Sequence, residues 1–263
     1  MVIPTLGTRP EWLLATVTSI VRQADVELEI VIVTPQPETV QSVAQLHGLR
    51  ILHSETPGIS AAVNEGWAEL LHCDYLAWLG DDDLLAPDSM IECLNVLEND
   101  QTSVASYGRV RYIGPEGDTL FVTYPGIVAA KYLPWGKDLV PQPGSLFRRS
   151  AIENLRGGLD ETLKYAMDYD LFIRLQAMGR LAYVPREVAA FRLHPGSVTG
   201  STHSGQEAEE VRARTHSVAV NRSRKFFSPI IYITDRVLYK ILQHAGSAVP
   251  TRDGREYTIA HTQ

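Results

Sequence analysis

Three aspartates stand in a row, Asp81, Asp82 and Asp83, directly after the mostly apolar run "DYLAWLG" (74–80). Neighbouring carboxylates repel by roughly 0.5–1 kcal/mol per pair at ~5–7 Å in water, and by more where water is excluded. A solvated turn tolerates them, because Gly and Asp favour turns and water screens the charge. A divalent cation does more, since it reverses the sign of the interaction. Two other features carry acid–base or ligand chemistry. Asp168 and Asp170 open a stretch of helical periodicity, where positions i and i+2 point about 200° apart and only one faces a given site. His194 follows a strand-like run and precedes Pro195 and Gly196. Each has a plain structural alternative: Asp168 as a helix N-cap, His194 as a structural residue at a strand end. Taken singly, none decides a function.

The elements that must position these groups alternate in period over the first 100 residues. Val2-Ile3-Pro4 is a short apolar start, and Leu13, Val17, Ile20 and Val21 then recur at helical spacing. "LEIVIV" (28–33) is a continuous β-branched run, the mark of a strand buried on both faces. Val40, Val43, Ala44 and Leu46 predict a helix, and "LRIL" (49–52) a short strand. Residues 59–72 are helical again, with Ile59, Val63, Trp67, Leu70 and Leu71 on one side, and "YLAWL" (75–79) is the fourth strand. This order predicts a parallel sheet with right-handed crossovers and helices on both faces. Open sheets of this kind bind ligands beyond the carboxyl ends of their strands, and the three aspartates fall at such an end.

The second half is less regular. "SVASYGRVRYI", the turn "GPEGD" and "TLFVTY" read as a hairpin, and "GSLFRR" (144–149) as a strand. "DYDLFIRLQAMG" (168–179) reads as a helix with Leu171, Phe172, Leu175 and Met178 on its apolar face and Gly179 as its stop. "LAYVP" and "VAAFRLH" read as two short strands. Helical segments are expected near 205–221 and 226–245, and a disordered polar tail over 246–263.

The totals narrow the function. The 263 residues are 44% hydrophobic and 21% charged with a net charge of −7, so general nucleic-acid binding, which needs a basic surface, is not expected. The charge is uneven: residues 211–245 hold seven Lys/Arg against Asp235 alone. Cys73 and Cys93, both in segments read as buried, form no disulfide framework or zinc set. The start "MVIPTLGTRPEW" does not read as a signal peptide, and no apolar run reaches 18 residues, so a cytoplasmic location is the expectation.

Four blocks, "VIPTLGTRPEWLLATVTSIVRQ", "PGISAAVNEGWAEL", "DYLAWLGDDDLLAPDSM" and "MDYDLFIRLQAMGRLAYVPREVAAFRLHPGSVT", resemble in order and spacing the inverting glycosyltransferases of family 2. The resemblance spans about residues 1–200. It implies an α/β, Rossmann-like GT-A fold with a mainly parallel central sheet flanked by helices. Domains are then expected as a catalytic unit over 1–200, a helical extension over 201–245 and a tail over 246–263. The implied reaction moves a sugar from a nucleotide-diphosphate sugar to a hydroxyl of a saccharide or lipid-linked acceptor in a single displacement. The implied cofactor is Mn²⁺ or Mg²⁺, which offsets the charge of the leaving diphosphate.

The resemblance also assigns residues. Asp82 matches the metal ligand of the family's Asp-X-Asp pattern, with Asp83 as a supporting metal residue, and Asp81 matches a contact to the donor's ribose or the metal shell. Gly80 stands where many relatives carry the first Asp. His194 matches a histidine that completes the metal site, and imidazole suits Mn²⁺ better than Mg²⁺. Asp168 matches the general base, which a helix N-terminus helps keep ionised; Met167 replaces the Glu usual before it. Asp170 is expected to pair with Arg174. Pro4 and Thr5 match the base-contacting loop, and Asn64 a donor contact, with a helix-surface residue as its alternative. Thr34 and Val63 stand where relatives carry Asp and Arg.

Two further readings stay open on the sequence. One is a non-catalytic nucleotide-sugar binder, given Gly80, Thr34, Val63 and Met167. The other is a sugar nucleotidylyltransferase, faintly suggested by "LGTRP", although such phosphate loops need several glycines and Gly7 stands alone. Residues 222–242 mix Arg/Lys with Phe, Ile and Leu, as does a helix at the inner face of a membrane or one packed on the domain.

Overall fold

The computed structural model describes residues 1–133, 138–155, 157–195 and residue 209. The expected helical extension, the tail and residues 222–242 lie outside these, apart from Glu209. The first half is β1 (Val2–Pro4), α1 (Pro10–Val21), β2 (Val31–Thr34), α2 (Pro37–His47), β3 (Arg50–His53), α3 (Ile59–Glu69) and β4 (Tyr75–Leu76). Strands β1, β2 and β3 pair in parallel, with Val2 opposite Val31 and Val31 opposite Arg50. Beyond β4 the chain stays extended beside β1. Val2 donates to the Ala77 carbonyl at 2.9 Å, and Leu79 donates to the Val2 carbonyl at 3.0 Å. The first four strands therefore form the expected parallel array.

The residue pattern explains the layers. In β2, Val31 and Val33 enter one core with Val63 and Trp67 of α3, while Ile32 enters the other with Leu13, Val17 and Ile20 of α1. Both faces being covered, the strand has no polar alternation to show. β3 is the edge, and there Arg50 is exposed and pairs with Glu29 at 2.7 Å and Glu69 at 3.5 Å, which discourages further strand addition. Proline in the first turn starts α1 and α2, and Gly48, in the left-handed region at φ 63°, ends α2. Gly66 lets α3 seat on the sheet: a Cβ there would lie 2.6 Å from a Val2 methyl.

The second half contains β5 (Leu84–Leu85), α4 (Ser89–Glu98), β6 (Ser103–Ile113), β7 (Thr119–Val122), α5 (Gly126–Tyr132), β8 (Leu146–Arg148), α6 (Arg149–Asn154), α7 (Met167–Gln176) and β9 (Arg180–Arg192). Here the sheet is mixed, in the order β4-β8-β6-β9-β5, with β8 antiparallel to both neighbours, β6 and β9 parallel, and the expected hairpin formed by β6 and β7. Trp67, Trp78, Phe147 and Phe172 chain together at ring separations of 5.4–5.7 Å and fill the core between this sheet, α3 and α7.

Several expectations need correction. The two short strands over 181–194 are one long strand. Pro185 does not break it because β9 advances four residues, Tyr183 to Glu187, while β6 advances two, Tyr107 to Arg109, placing the proline in a bulge of β9 where no ladder hydrogen bond is required. Leu46, Leu71 and Met178 are exposed. Leu46 lies on the outer side of α2, and Leu71 and Met178 follow helices that end at Glu69 and Gln176. The helix α7 ends at Gln176, before Gly179, where glycine instead permits close approach: a Cβ there would lie 2.6 Å from the Thr102 carbonyl. Cys93 is buried, with its thiol pushed up to about 12, whereas Cys73 is only half-buried.

Candidate active site

Two loops at the carboxyl end of the parallel strands meet over the aspartates. The first leaves β1 through Pro4 and Thr5. The Thr5 amide donates to the Val33 carbonyl at 2.9 Å, which fixes the loop to β2. Its hydroxyl donates to the Asp81 carboxylate and accepts the Gly7 N–H at 2.9 Å. Gly7 sits at φ 69°, where a Cβ would collide with the Thr39 hydroxyl, so this turn requires glycine. The second loop is Gly80–Asp83 itself. A Cβ on Gly80 would lie 2.8 Å from an Asp82 oxygen and 3.0 Å from an Asp83 oxygen. Glycine at 80 thus leaves the space that the next two carboxylates occupy.

The long strand β9 delivers the other side. His194, just past its end and buried, places Nε2 2.6 Å from Oδ2 of Asp82. Arg192 is buried as well: its amide donates to Asp83 at 2.9 Å, its Nε to the Asp82 carbonyl at 2.9 Å, and its guanidinium to the Gly114 and Pro115 carbonyls at 3.1 and 2.8 Å. Arg192 therefore ties the aspartate loop to the β6–β7 turn. Trp12, near the start of α1, has the His194 ring at 5.0 Å and the guanidinium carbons of Arg9 and Arg192 at 5.1 and 5.0 Å. The Arg9 guanidinium also comes within 3.9 Å of Asp82.

The electrostatics follow from burial. Asp83 is 3% exposed, and burial, then the Asp82 charge, hold its carboxyl well above the usual range despite the Arg192 amide. Burial also raises Asp81, opposed chiefly by the Thr5 hydrogen bond and reinforced by Asp82. A carboxyl raised by folding costs stability when ionised, so the Asp83 contribution worsens as pH climbs from the ordinary carboxylate range through its raised value. Asp83→Asn keeps an oxygen for the Arg192 amide and removes the charge. With a chelator present, the variant is expected to melt a few degrees above the parent at pH 7.5 (about 2–4 °C per kcal/mol). The gap should close near pH 4, as followed by calorimetry; a variant that melts lower at both pH values would refute the charge argument.

The expected site residues thus divide. Pro4, Thr5, Asp81, Asp82, Asp83 and His194 come together. Asn64 does not join them: its amide donates to the Leu159 carbonyl and accepts the Leu159 N–H, both at 2.9 Å, so it links α3 to the loop before α7. Asp168 stands on α7, half-buried, and accepts the Tyr169 N–H at 2.8 Å. Ala166 holds the N-cap position, which makes Asp168 the second helical residue rather than the cap. Asp170, on another side of α7, is buried and pairs with Arg174 at 2.7 Å, as expected. Sequence reasoning missed Arg9, Trp12 and Arg192. The one available signal was Arg192 two positions before His194, which puts both on the same side of an extended strand.

Among the described residues, no group of three or more His, Cys, Asp and Glu side chains forms a ready-made ion site. The Asp82–His194 pair is nevertheless suited to a partial one. Neighbouring ligands on an octahedral ion with bonds of ~2.1 Å lie about 3 Å apart, so the 2.6 Å pair need open only by a few tenths of an ångström. A carboxylate with an imidazole can serve a divalent cation as two ligands, and the remaining positions would fall to oxygens from outside the chain.

The glycosyl transferase family 2 profile matches residues 1–156, more than half of the chain. The chain belongs to glycosyltransferase family 2. This family 2 transferase is 26% identical over 215 residues to the hyaluronan synthase of Pasteurella multocida, an alignment covering 79% of this chain but 21% of the synthase. It thus spans about a fifth of that relative's length. Among solved structures it resembles the mannosyltransferase PcManGT of Pyrobaculum calidifontis, in complex with GDP-Man and Mn²⁺. The TM-score is 0.63 at 17% identity, over 88% of this chain and 67% of that one. It also resembles residues 1–349 of S. aureus TarS in complex with UDP, with a TM-score of 0.60 at 14% identity over 82% of this chain and 64% of that one. The fold is therefore GT-A. No helix among the described residues is long and apolar enough to cross a membrane.

Proposed function

We propose that the transferase moves a sugar from a nucleotide-diphosphate sugar to a hydroxyl of a saccharide or lipid-linked acceptor, with inversion and with dependence on Mn²⁺ or Mg²⁺. The observation that carries this reading is the Asp82–His194 pair, set beside the Thr5–Asp81 hydrogen bond at the carboxyl end of the sheet. That similar folds were solved with GDP-Man and Mn²⁺ (PcManGT) and with UDP (TarS) supports a nucleotide-sugar donor and a divalent cation. Pro4 and Thr5 line the path of the base, and Asp81, already a hydrogen-bond acceptor for Thr5, takes a ribose hydroxyl. Asp82 and His194 would hold the cation, whose charge would offset that of the departing diphosphate. Asp83 holds the loop through the Arg192 amide. The Arg9 side chain, 35% exposed next to Asp82, meets a phosphate oxygen. Asp168 accepts the proton of the attacking hydroxyl, and the positive end of α7 favours its ionised form.

The product class is a polysaccharide, glycolipid or other glycoconjugate. The same reading places the enzyme in the cytoplasm, with residues 222–242 as a peripheral contact at the inner face of the membrane; failure to sediment with anionic vesicles would remove that contact. The donor is tested by thermal unfolding with UDP-, GDP- and dTDP-sugars, with and without Mn²⁺, because a ligand of the folded state raises apparent stability by mass action. One donor class should stabilise the protein strongly and only with the cation. Equal stabilisation in chelator would refute the metal dependence.

A further inference from the structure

The chain entering α7 carries three successive backbone N–H groups that share one acceptor. Lys164 donates to the two Glu209 carboxylate oxygens at 3.1 and 3.0 Å, Tyr165 at 2.7 Å and Ala166 at 3.1 Å. Ala166, at the N-cap position, has no side-chain acceptor to offer, so the acceptor comes from 43 to 45 positions further along the chain. Consecutive amides of this kind form an anion-binding nest, and the positive end of the helix adds to the attraction. Hydrogen bonds to an ionised acceptor are roughly twice as strong as neutral ones. The same approach is held from two more sides, by Asn64 at Leu159 and by the Arg174 guanidinium at the Gly158 carbonyl, 2.8 Å away. Asp168 lies two residues beyond the last of the three amides.

We propose that Glu209 is a positioning residue for Asp168. By gathering the Lys164, Tyr165 and Ala166 amides it fixes the start of α7, and it makes the catalytic unit extend past residue 200 to at least residue 209. The proposal rests on Asp168 as the base. A displacement of 1 Å at a reacting group costs about 10²-fold in rate, so the clamp matters to turnover well before it matters to folding.

The test uses the full chain and two variants, Glu209→Ala and Glu209→Gln. It measures backbone hydrogen exchange over residues 164–170 and turnover of UDP-GlcNAc and GDP-mannose with Mn²⁺. Glu209→Ala is expected to exchange faster at the three amides by about tenfold or more. Its kcat should fall roughly ten- to a hundredfold with donor KM unchanged. Glu209→Gln, which keeps an accepting oxygen, should recover most of that kcat; a merely structural residue would show no such split between kcat and KM. Unchanged exchange in Glu209→Ala, unchanged kcat, or a rise confined to KM would each overturn the proposal. A parent protein that turns over neither donor would count against the functional reading alone, and the exchange data would still decide whether Glu209 holds this segment.

Discussion

Asp168→Asn is expected to lower kcat by about 10²–10⁴-fold, the usual worth of a positioned general base, while leaving the donor-induced rise in melting temperature unchanged. Asparagine has nearly the same shape and retains an oxygen for the Tyr169 N–H that the carboxylate now accepts at 2.8 Å. The helix start should therefore survive, and the loss should be one of proton acceptance. Asp170→Asn supplies the contrast. It breaks the 2.7 Å pair with Arg174 inside the fold, so its cost should appear as a lower melting temperature with kcat per folded molecule nearly intact. Steady-state release of UDP or GDP, with calorimetry on the same samples, separates the two carboxylates. An Asp168→Asn enzyme within threefold of the parent would remove Asp168 from the base role.

These two residues also show what a sequence can and cannot disclose. Helical periodicity was enough to place Asp168 and Asp170 on different sides of one helix, and the i, i+4 spacing to Arg174 named the partner of the second. In the same way β2 declared itself by an unbroken β-branched run, because local period reflects which faces are covered. Asn64 was not legible, since its partner Leu159 lies 95 positions away, and only folding reveals that its amide is already engaged. Arg192 was hidden for the same reason: its guanidinium is buried by the Gly114 and Pro115 carbonyls of a turn 77 to 78 positions earlier. Pro185 misled because proline normally ends a ladder, and only the bulge between Tyr183 and Glu187 explains its place inside β9. Local rules thus reached the parallel half of the sheet and the aspartate loop, while the contacts that orient the loop are nearly all long-range.

Gly80 links the local and long-range parts of the site. The family resemblance leads one to expect a carboxylate at this position, whereas here the Asp82 and Asp83 oxygens take up the space beside a glycine. Three carboxylates at 81–83, two of them raised by burial, already strain the loop against ionisation. Arg9 and Arg192 offset part of this. Arg192, however, spends its guanidinium on backbone carbonyls, and Arg9 only approaches Asp82, at 3.9 Å.

That imbalance yields a second large effect: Asp82→Asn and His194→Ala should each abolish the Mn²⁺-dependent part of donor stabilisation. A ligand present at a hundred times its dissociation constant adds about 2.7 kcal/mol to apparent stability, so the lost increment is measurable in a melting curve. The competing view treats the 2.6 Å contact between Asp82 and His194 as an internal hydrogen bond serving only the fold. The two views differ in which quantity falls. A structural bond, cut outright in His194→Ala, lowers that variant's melting temperature in chelator and leaves the donor increment standing in both variants. A cation site stripped of one charge relieves repulsion on Asp81 and Asp83, so Asp82→Asn in chelator should melt no lower than the parent while the increment vanishes. His194→Ala removes a ligand without relieving carboxylate repulsion, and should lose the increment with little gain in chelator. A donor increment that persists in both variants would leave these carboxylates without a cation to explain them.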